Sequence, residues 1–271
     1  MHAGLLRDVL TLAVGVVTGV LSAAFGVGGA VVSTPGIRAL GATAFIAVGT
    51  TLPSILPSAA VGTARYLREQ LIDWRWVAWT APAGIVTSVG GSLLSHSVPG
   101  HGHWLMMLTA GLLGFTAFRM ARQPDAEVSG TAEAEDALAE PASARRDTPA
   151  ALAGVGAVAG LLSGLLGVGG GIVMVPGFTE LLGMPLKSAV ATSLACVGLF
   201  AIPGTITHAA LGGIDWRFAL LLAVGVVPGA RVGAALTLRA GARRHQLAVA
   251  TFLGVISAVY AVGEAVALAR R

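Results

Sequence analysis

The amino-acid sequence predicts an all-α polytopic membrane protein. It has two homologous repeats of about four transmembrane segments each, and the first segment of each repeat is glycine-broken or re-entrant. Three observations predict this. Of 271 residues, 55% are hydrophobic and only 11% are charged, where a soluble domain carries about 25% charge. Several apolar runs reach the roughly 20 residues that cross a bilayer. One stretch is used twice: GVLSAAFGVGGAVVSTPG at 19–36 and GLLSGLLGVGGGIVMVPG at 160–177, at a constant offset of 141. In a membrane, the 38 glycines suit close helix packing through small residues.

The first segment is expected at 8–32 and its counterpart, the fifth, at 150–175. Arg7 before an apolar core, with Ser22-Ala23-Ala24 at its end, resembles a signal peptide. The same pattern recurs inside the chain, where no leader could be removed, and this argues against cleavage. Gly26, Gly28 and Gly29 match Gly167, Gly169 and Gly170. Each glycine costs a helix roughly 1 kcal/mol relative to alanine and lets the backbone bend. Backbone groups freed at membrane depth must be buried in protein or line a wet cavity. A half-helix starting after the break would aim N–H groups at that cavity, which makes an anion seat. A tight small-residue helix crossing gives the same pattern without a site. Neither cluster has the G-x-G-x-x-G spacing of a dinucleotide site.

The second and sixth segments are expected at 43–66 and 187–210. They carry paired hydroxyls at matching places, Thr50 and Thr51 against Thr192 and Ser193, now at offset 142. Hydroxyls can hold an oxyanion without a fixed charge; they also bond back to their own helix. Pro53, Pro57 and Pro203 could kink these helices or serve their packing, and the sequence favours neither. His208, near the end of the sixth segment, is a candidate for proton coupling. Cys196, the only cysteine, reads as a packing residue. The third and seventh segments, 76–97 and 217–238, follow the same tetrapeptide, I-D-W-R, at 72–75 and 214–217. Aspartate there is expected to cap the helix and tryptophan to anchor it at headgroup level. Arg231 lies deep in the seventh segment, and an intramembrane charge is a functional hypothesis by default. It would grip an oxyanion by paired hydrogen bonds or snorkel to the interface. The fourth and eighth segments are expected at 102–120 and 246–268. His96, His101 and His103 cluster around the short loop between the third and fourth, but they have no nearby carboxylate or cysteine, and no metal is assigned to them.

Residues 122–149 hold 7 of the chain's 13 acids among alanine, proline and serine. They read as a flexible acidic linker. The chain therefore divides into membrane repeat 1 at 1–121, the linker, and membrane repeat 2 at 150–271. For eight simple crossings the cations fall eleven against five, which expects both termini in the cytoplasm of a cell whose inner membrane holds the chain. An inverted repeat needs an odd number of crossings per unit, which a re-entrant first segment would supply. The sequence leaves parallel and inverted arrangements open.

The net charge of +4 comes from arginines near segment ends and implies no nucleic acid. No nucleophile elbow, metalloprotease pair or phosphate loop is present, so neither an enzyme nor a cofactor is expected. Acids outside the linker lie near segment ends, which disfavours a carboxylate-ringed cation pore. Hydroxyls, helix ends and one arginine favour an anion.

S-G-L-L-G-V-G-G-G-I-V-M-V-P at 163–176, A-V-A-T-S at 189–193 and G-G-I-D-W-R at 212–217 together resemble the sulfite exporter TauE/SafE family. The first repeat carries a weaker copy, with Ala30 in place of the last glycine and Val48-Gly49-Thr50-Thr51 for the second block. The resemblance covers both halves apart from the linker. It implies a permease for small sulfur-containing or organic anions such as sulfite or a sulfonate. The substrate site expected on this reading is Gly26, Gly28, Gly29, Thr50, Thr51, Gly167, Gly169, Gly170, Thr192, Ser193 and Arg231, with His208 as the coupling candidate. The partners expected are a small anionic substrate and the lipid bilayer, with a homodimer as an option. Two other readings stay open: a membrane-embedded assembly subunit without a transport cycle, and a passive anion channel.

Overall fold

The computed structural model describes residues 2–97, 107, 110, 111, 113–115, 117, 118, 148–167 and 169–269. Every regular element among them is helical. In chain order they are α1 (His2–Phe25), α2 (Ala30–Ala39), α3 (Ala44–Arg68), α4 (Trp74–Ser97), α5 (Pro149–Leu166), α6 (Gly171–Pro176), α7 (Leu186–Ala210), α8 (Trp216–Arg239) and α9 (Ala242–Ala269). A π turn, Gly177–Leu181, continues α6. Helices α1, α3, α4, α5, α7 and α8 are long and apolar enough to cross a membrane. In α9 the apolar part is shorter, Leu247–Gly263. Most of the expected fourth segment, nearly all of the linker, and His101 and His103 lie outside the described residues.

The first and fifth segments do not run straight through. Both stop at their glycines, and the chain turns back along the helix it has just left. A methyl added at Gly29 would press on Thr18, and one at Gly36 would sit 2.8 Å from Val14 Cγ1. Later positions of α2 thus lie against earlier positions of α1, so the two helices form a hairpin. In the second half, Gly170 lies against Ala159 and Gly177 against Val155. Pro176 lacks the N–H that a continuing helix would use, and the backbone widens into the π turn directly after it.

Helix starts follow local chemistry. The Oδ1 of Asp73 accepts from the N–H groups of Arg75 and Trp76, at 3.0 and 3.3 Å. The Oδ1 of Asp215 accepts from Arg217 and Phe218 at the same distances. Both aspartates cap the following helix, and Trp74 and Trp216 are 53% and 61% exposed beside them. Thr148 caps α5, with Pro149 in the first turn.

The helices interleave. Helix α1 lies along α8 in the same direction: Gly15 approaches Leu222 and Gly225, and Gly19 approaches Val226 and Ala230. Helix α5 lies along α4 in the same way, with Gly156 on Thr80, Gly160 on Gly84 and Gly164 on Ser88. Small side chains let these backbones touch, as membrane helices do where lipid gives no hydrophobic drive. Between the two pairs, α3 and α7 cross antiparallel: Leu52 meets Gly204, Ala59 meets Gly198, and Leu194 meets Gly62. Leu52, Ile55, Leu194, Val197 and Phe200 are fully buried at this crossing. Outward faces stay apolar, as Val86 at 72% and Leu220 at 68% exposure illustrate.

These directions sort the charges. One end of the bundle gathers the ends of α3 and α8 and the starts of α5, α7 and α9. Asp73 N bonded to Thr192 and Lys187 Nζ bonded to the Leu238 carbonyl mark it. Arg65, Arg68, Arg75, Lys187, Arg239, Arg243 and Arg244 lie there. Arg7, packed over the Phe218 ring at 4.5 Å, lies at the other end with Arg38 and Arg217.

Candidate functional site: two glycine breaks in contact

The breaks begin identically. Gly26 and Gly167 both have φ +67, a region that L side chains rarely adopt. Their N–H groups donate to Ser22 O and Ser163 O, each at 2.9 Å. The paths then diverge: Gly170 has φ +72, but Gly29 is right-handed at φ −57. The difference stands next to the one departure within the glycine cluster, Ala30 against Gly171. A methyl at Gly171 would lie 2.6 Å from Val27 Cα and collide with the Gly26 carbonyl oxygen. Only a hydrogen fits there.

The two breaks meet. A Cβ on Gly169 would stand 3.3 Å from Gly28 Cα, 3.1 Å from Val197 and 3.4 Å from Ile55. Ile55 and Val197 sit near the middle of α3 and α7, so the contact lies at the centre of the helix crossing. Gly26 packs on Val190 and Ser193, and Gly167 packs on Val48. Each break therefore rests on the start of the central helix from the opposite half.

Thr50, Thr51, Thr192 and Ser193 are all fully buried, and they divide into two roles. Thr50 Oγ1 accepts from the Asp215 N–H at 2.9 Å, and Thr192 Oγ1 accepts from the Asp73 N–H at 3.1 Å. These are matched latches between the halves, one at each end of the bundle. Ser193 Oγ bonds to Gly26 O and to Val190 O, both at 3.0 Å, and pins the first break. Thr51 Oγ1 donates to Val48 O at 2.9 Å and lies 3.5 Å from Thr34 Oγ1 on α2.

The structure adds polar groups that the sequence reading did not select. Ser58 Oγ donates to Ser22 Oγ at 2.9 Å. Tyr66 Oη and Thr237 Oγ1 donate to Ala23 O and Ala24 O at 2.6 and 2.8 Å, closing the carbonyl end of α1. Thr18 Oγ1 and Ser163 Oγ are buried and have no hydrogen-bond partner among the described residues. Thr18 lies against Gly29, and the Ser163 carbonyl caps Gly167. A residue with an unpaired buried hydroxyl thus adjoins each break, touching it through the methyl of Thr18 and through the backbone carbonyl of Ser163. At offset 142 the counterpart of Ser58, which bonds to Ser22, is Phe200, a side chain with no hydroxyl to offer Ser163. Of these residues, the pairing of Ser22 with Ser163 was visible in the repeat. The Tyr66 and Thr237 bonds, which span 43 and 213 residues, left no trace in it.

Two candidates lie elsewhere. His208 is fully buried, its ring 5.5 Å from that of Phe45, beside Gly213 and the Thr50 latch. Arg231 is exposed and faces a groove with Arg65 and Arg68. Among the described residues no group of three His, Cys, Asp or Glu side chains converges. The described acids cap helices or lie at their ends, so the seam between the breaks holds hydroxyls, glycine backbone and aliphatic side chains. Such a seat can hydrogen-bond an anion from N–H and O–H donors.

Along most of its length the chain is similar to proteins named as probable membrane transporters. It is 26% identical over 243 residues to probable membrane transporter protein YunE of Bacillus subtilis, covering 84% of this chain and 88% of that one. A probable membrane transporter protein of Xylella fastidiosa (strain 9a5c) is 27% identical over 241 residues, covering 88% of each chain. Probable membrane transporter protein MJ0441 of Methanocaldococcus jannaschii is 25% identical over 270 residues, covering 91% of this chain and 92% of that one. No solved structure matches. The family profile described as sulfite exporter TauE/SafE matches residues 11–260, and the chain belongs to that family of membrane proteins.

Proposed function

We propose that the protein is a secondary transporter, acting as an exporter, of a small sulfur-containing or organic anion such as sulfite or a sulfonate. The anion binds where the two glycine breaks meet. One observation carries this reading: each break, at the centre of the bundle, adjoins a residue, Thr18 or Ser163, whose buried hydroxyl has no partner among the described residues. A buried polar group left unpaired costs about 1–3 kcal/mol, which an incoming anion would recover. Backbone N–H groups of the breaks and the hydroxyls of Thr51 and Ser193 complete the seat once the breaks part. The seat carries no fixed charge of its own, so the anion can also leave.

The mechanism we infer is alternating access between two inverted repeats. Antiparallel α3 and α7, the parallel pairs α1–α8 and α4–α5, and the paired threonine latches support the inverted relation. The breaks are closed against each other by direct packing, which favours an occluded resting state over a standing pore. Opening toward one end would release the latch there while the other holds.

The hairpins also bear on orientation. The count of eleven cations against five assumes eight simple crossings. With α1 and α2 folded back, the described cations gather at the end where the linker rejoins the chain at Thr148. We therefore place that end in the cytoplasm and both termini on the outer side of the bacterial inner membrane. Single cysteines at Gly4 and Ala134 test this with a membrane-impermeant maleimide, because Cys196 is fully buried. Labelling of the Ala134 position but not the Gly4 position in intact cells refutes the placement.

Transport is tested in proteoliposomes of the purified full chain with sulfite, sulfoacetate and unrelated anions. Saturable, anion-selective flux is expected. No saturable flux of any anion refutes the proposal, and single-channel currents would make the protein a channel.

A further inference from the structure

A second anion site stands apart from the central seam. The last two turns of α3 and the flank of α8 enclose a groove of about 490 Å³ lined by Val61, Ala64, Arg65, Arg68, Arg231 and Ala235. Three guanidinium groups stand over an aliphatic floor. One carboxylate offsets them: Glu69 lies 3.5 Å from Arg65, with both side chains nearly half exposed. Among the described residues neither Arg68 nor Arg231 has an ion-pair partner. Arg231 precedes the end of α8 at Arg239 by eight residues, about 12 Å of helix. It therefore carries its charge into the apolar part of the span, where an unmatched cation is expensive. Leu67, Val232 and Leu236, each next in sequence to a lining residue, are 49%, 53% and 52% exposed.

We propose that this groove binds the phosphate headgroup of an anionic phospholipid. The forked N–H donors of arginine match phosphate oxygens in pairs. A basic pocket between membrane helices on the more basic side is the form such headgroup sites take. The exposed apolar side chains beside the lining residues on both helices would give the acyl chains a surface next to the arginines. A free oxyanion such as inorganic phosphate or sulfite would use the arginines and leave that surface idle. The lipid uses both, and it neutralises Arg231 where water is scarce. The proposal does not rest on what the central seam transports.

The test uses full-length protein, delipidated in neutral detergent, with bound lipid counted by native mass spectrometry. Phosphatidylglycerol and phosphatidylcholine are compared, with millimolar phosphate and sulfite as soluble competitors. Phosphatidylglycerol is expected to bind at least about tenfold more tightly than phosphatidylcholine. The Arg68→Gln/Arg231→Gln double variant is expected to lose that preference, while Arg243→Gln/Arg244→Gln, which removes two charges elsewhere on the same end, keeps it. Where the double variant does not elute as a single folded species, Arg68→Gln alone decides, with the same loss expected. Equal affinity for the two lipids, or an unchanged preference in the arginine variants, overturns the proposal. Displacement of the lipid by phosphate or sulfite also overturns it and makes the groove a free-oxyanion site.

Discussion

Replacing Gly171 by alanine probes the contact between the breaks most directly. The backbone at 171 is helical, so alanine is not excluded by its own conformation and would gain about 1 kcal/mol in an unobstructed helix. Space decides against it. The new methyl would lie 2.6 Å from Val27 Cα, with the Gly26 carbonyl nearer still. Carbon atoms settle at about 3.5–4.0 Å, so the two breaks must separate by about 1 Å. Both obstructing groups are backbone, and Ser193 holds the Gly26 carbonyl in place. Overpacking of this kind costs about 1–3 kcal/mol, which lowers Tm by roughly 2–10 °C in a chain this size. On the proposed alternating-access cycle, flux should fall by about tenfold or more, because the wedge would sit in the surface that closes. The matched control is Gly154→Ala in α5, where an added methyl meets nothing within 4 Å; it should leave flux unchanged and Tm equal or higher. Thermal unfolding in detergent and proteoliposome flux on both variants give the answer. Wild-type Tm and flux in Gly171→Ala would mean that the breaks are not packed as described.

Other outcomes follow from the same contacts. Thr50→Val and Thr192→Val each strip the acceptor from an aspartate N–H and should cost about 1–2 kcal/mol, nearly additively in the double variant; a double variant as stable as wild type would dismiss the latches. Ser193→Ala frees the Gly26 carbonyl and should lose about 1 kcal/mol of stability, with a larger proportional loss of flux; an effect on neither readout removes the pinning role. The bond from Arg217 to Asp8, at 2.6 Å, lies on an exposed surface. Asp8→Asn should therefore leave Tm within error at low and high salt, and a clear loss would show that this pair anchors α1 to α8.

The bundle was legible where the sequence repeats itself and silent where the halves touch. Apolar runs located α3, α4, α7 and α8 to within two residues, because length and hydropathy suffice when lipid is the solvent. The I-D-W-R tetrapeptides announced two helix starts, because capping is local chemistry. The glycine motif announced a break but not its sense. Whether Gly26–Gly29 bends a helix or reverses it depends on Thr18 and Val14 receiving α2, which no spacing encodes. The paired hydroxyls were found, but their partners were not. Thr50 reaches Asp215 across 165 residues and Thr192 reaches Asp73 across 119, and a repeat shows that two places are alike without showing that each serves the other. Arg231 stood out as a charge in an apolar run; its companions Arg65 and Arg68 looked like ordinary helix-end cations until the fold set them beside it.

The interleaving of helices also bears on how the chain is made. Helix α1 ends at Phe25 and the helix it lies against begins at Trp216. At synthesis rates of about 5–20 residues per second, α1 waits roughly 10–40 s in the bilayer before its partner emerges. During that wait its future contact face is mostly glycine and valine, Gly15, Val16, Gly19 and Val20, which lipid tails can cover without leaving a polar group dry. The first half cannot finish its own bundle, since its opening helix is completed only by the last part of the second. A ribosome stalled at the linker would leave a membrane-inserted but unassembled fragment, so quality control must tolerate this chain half-made for longer than one built from side-by-side halves.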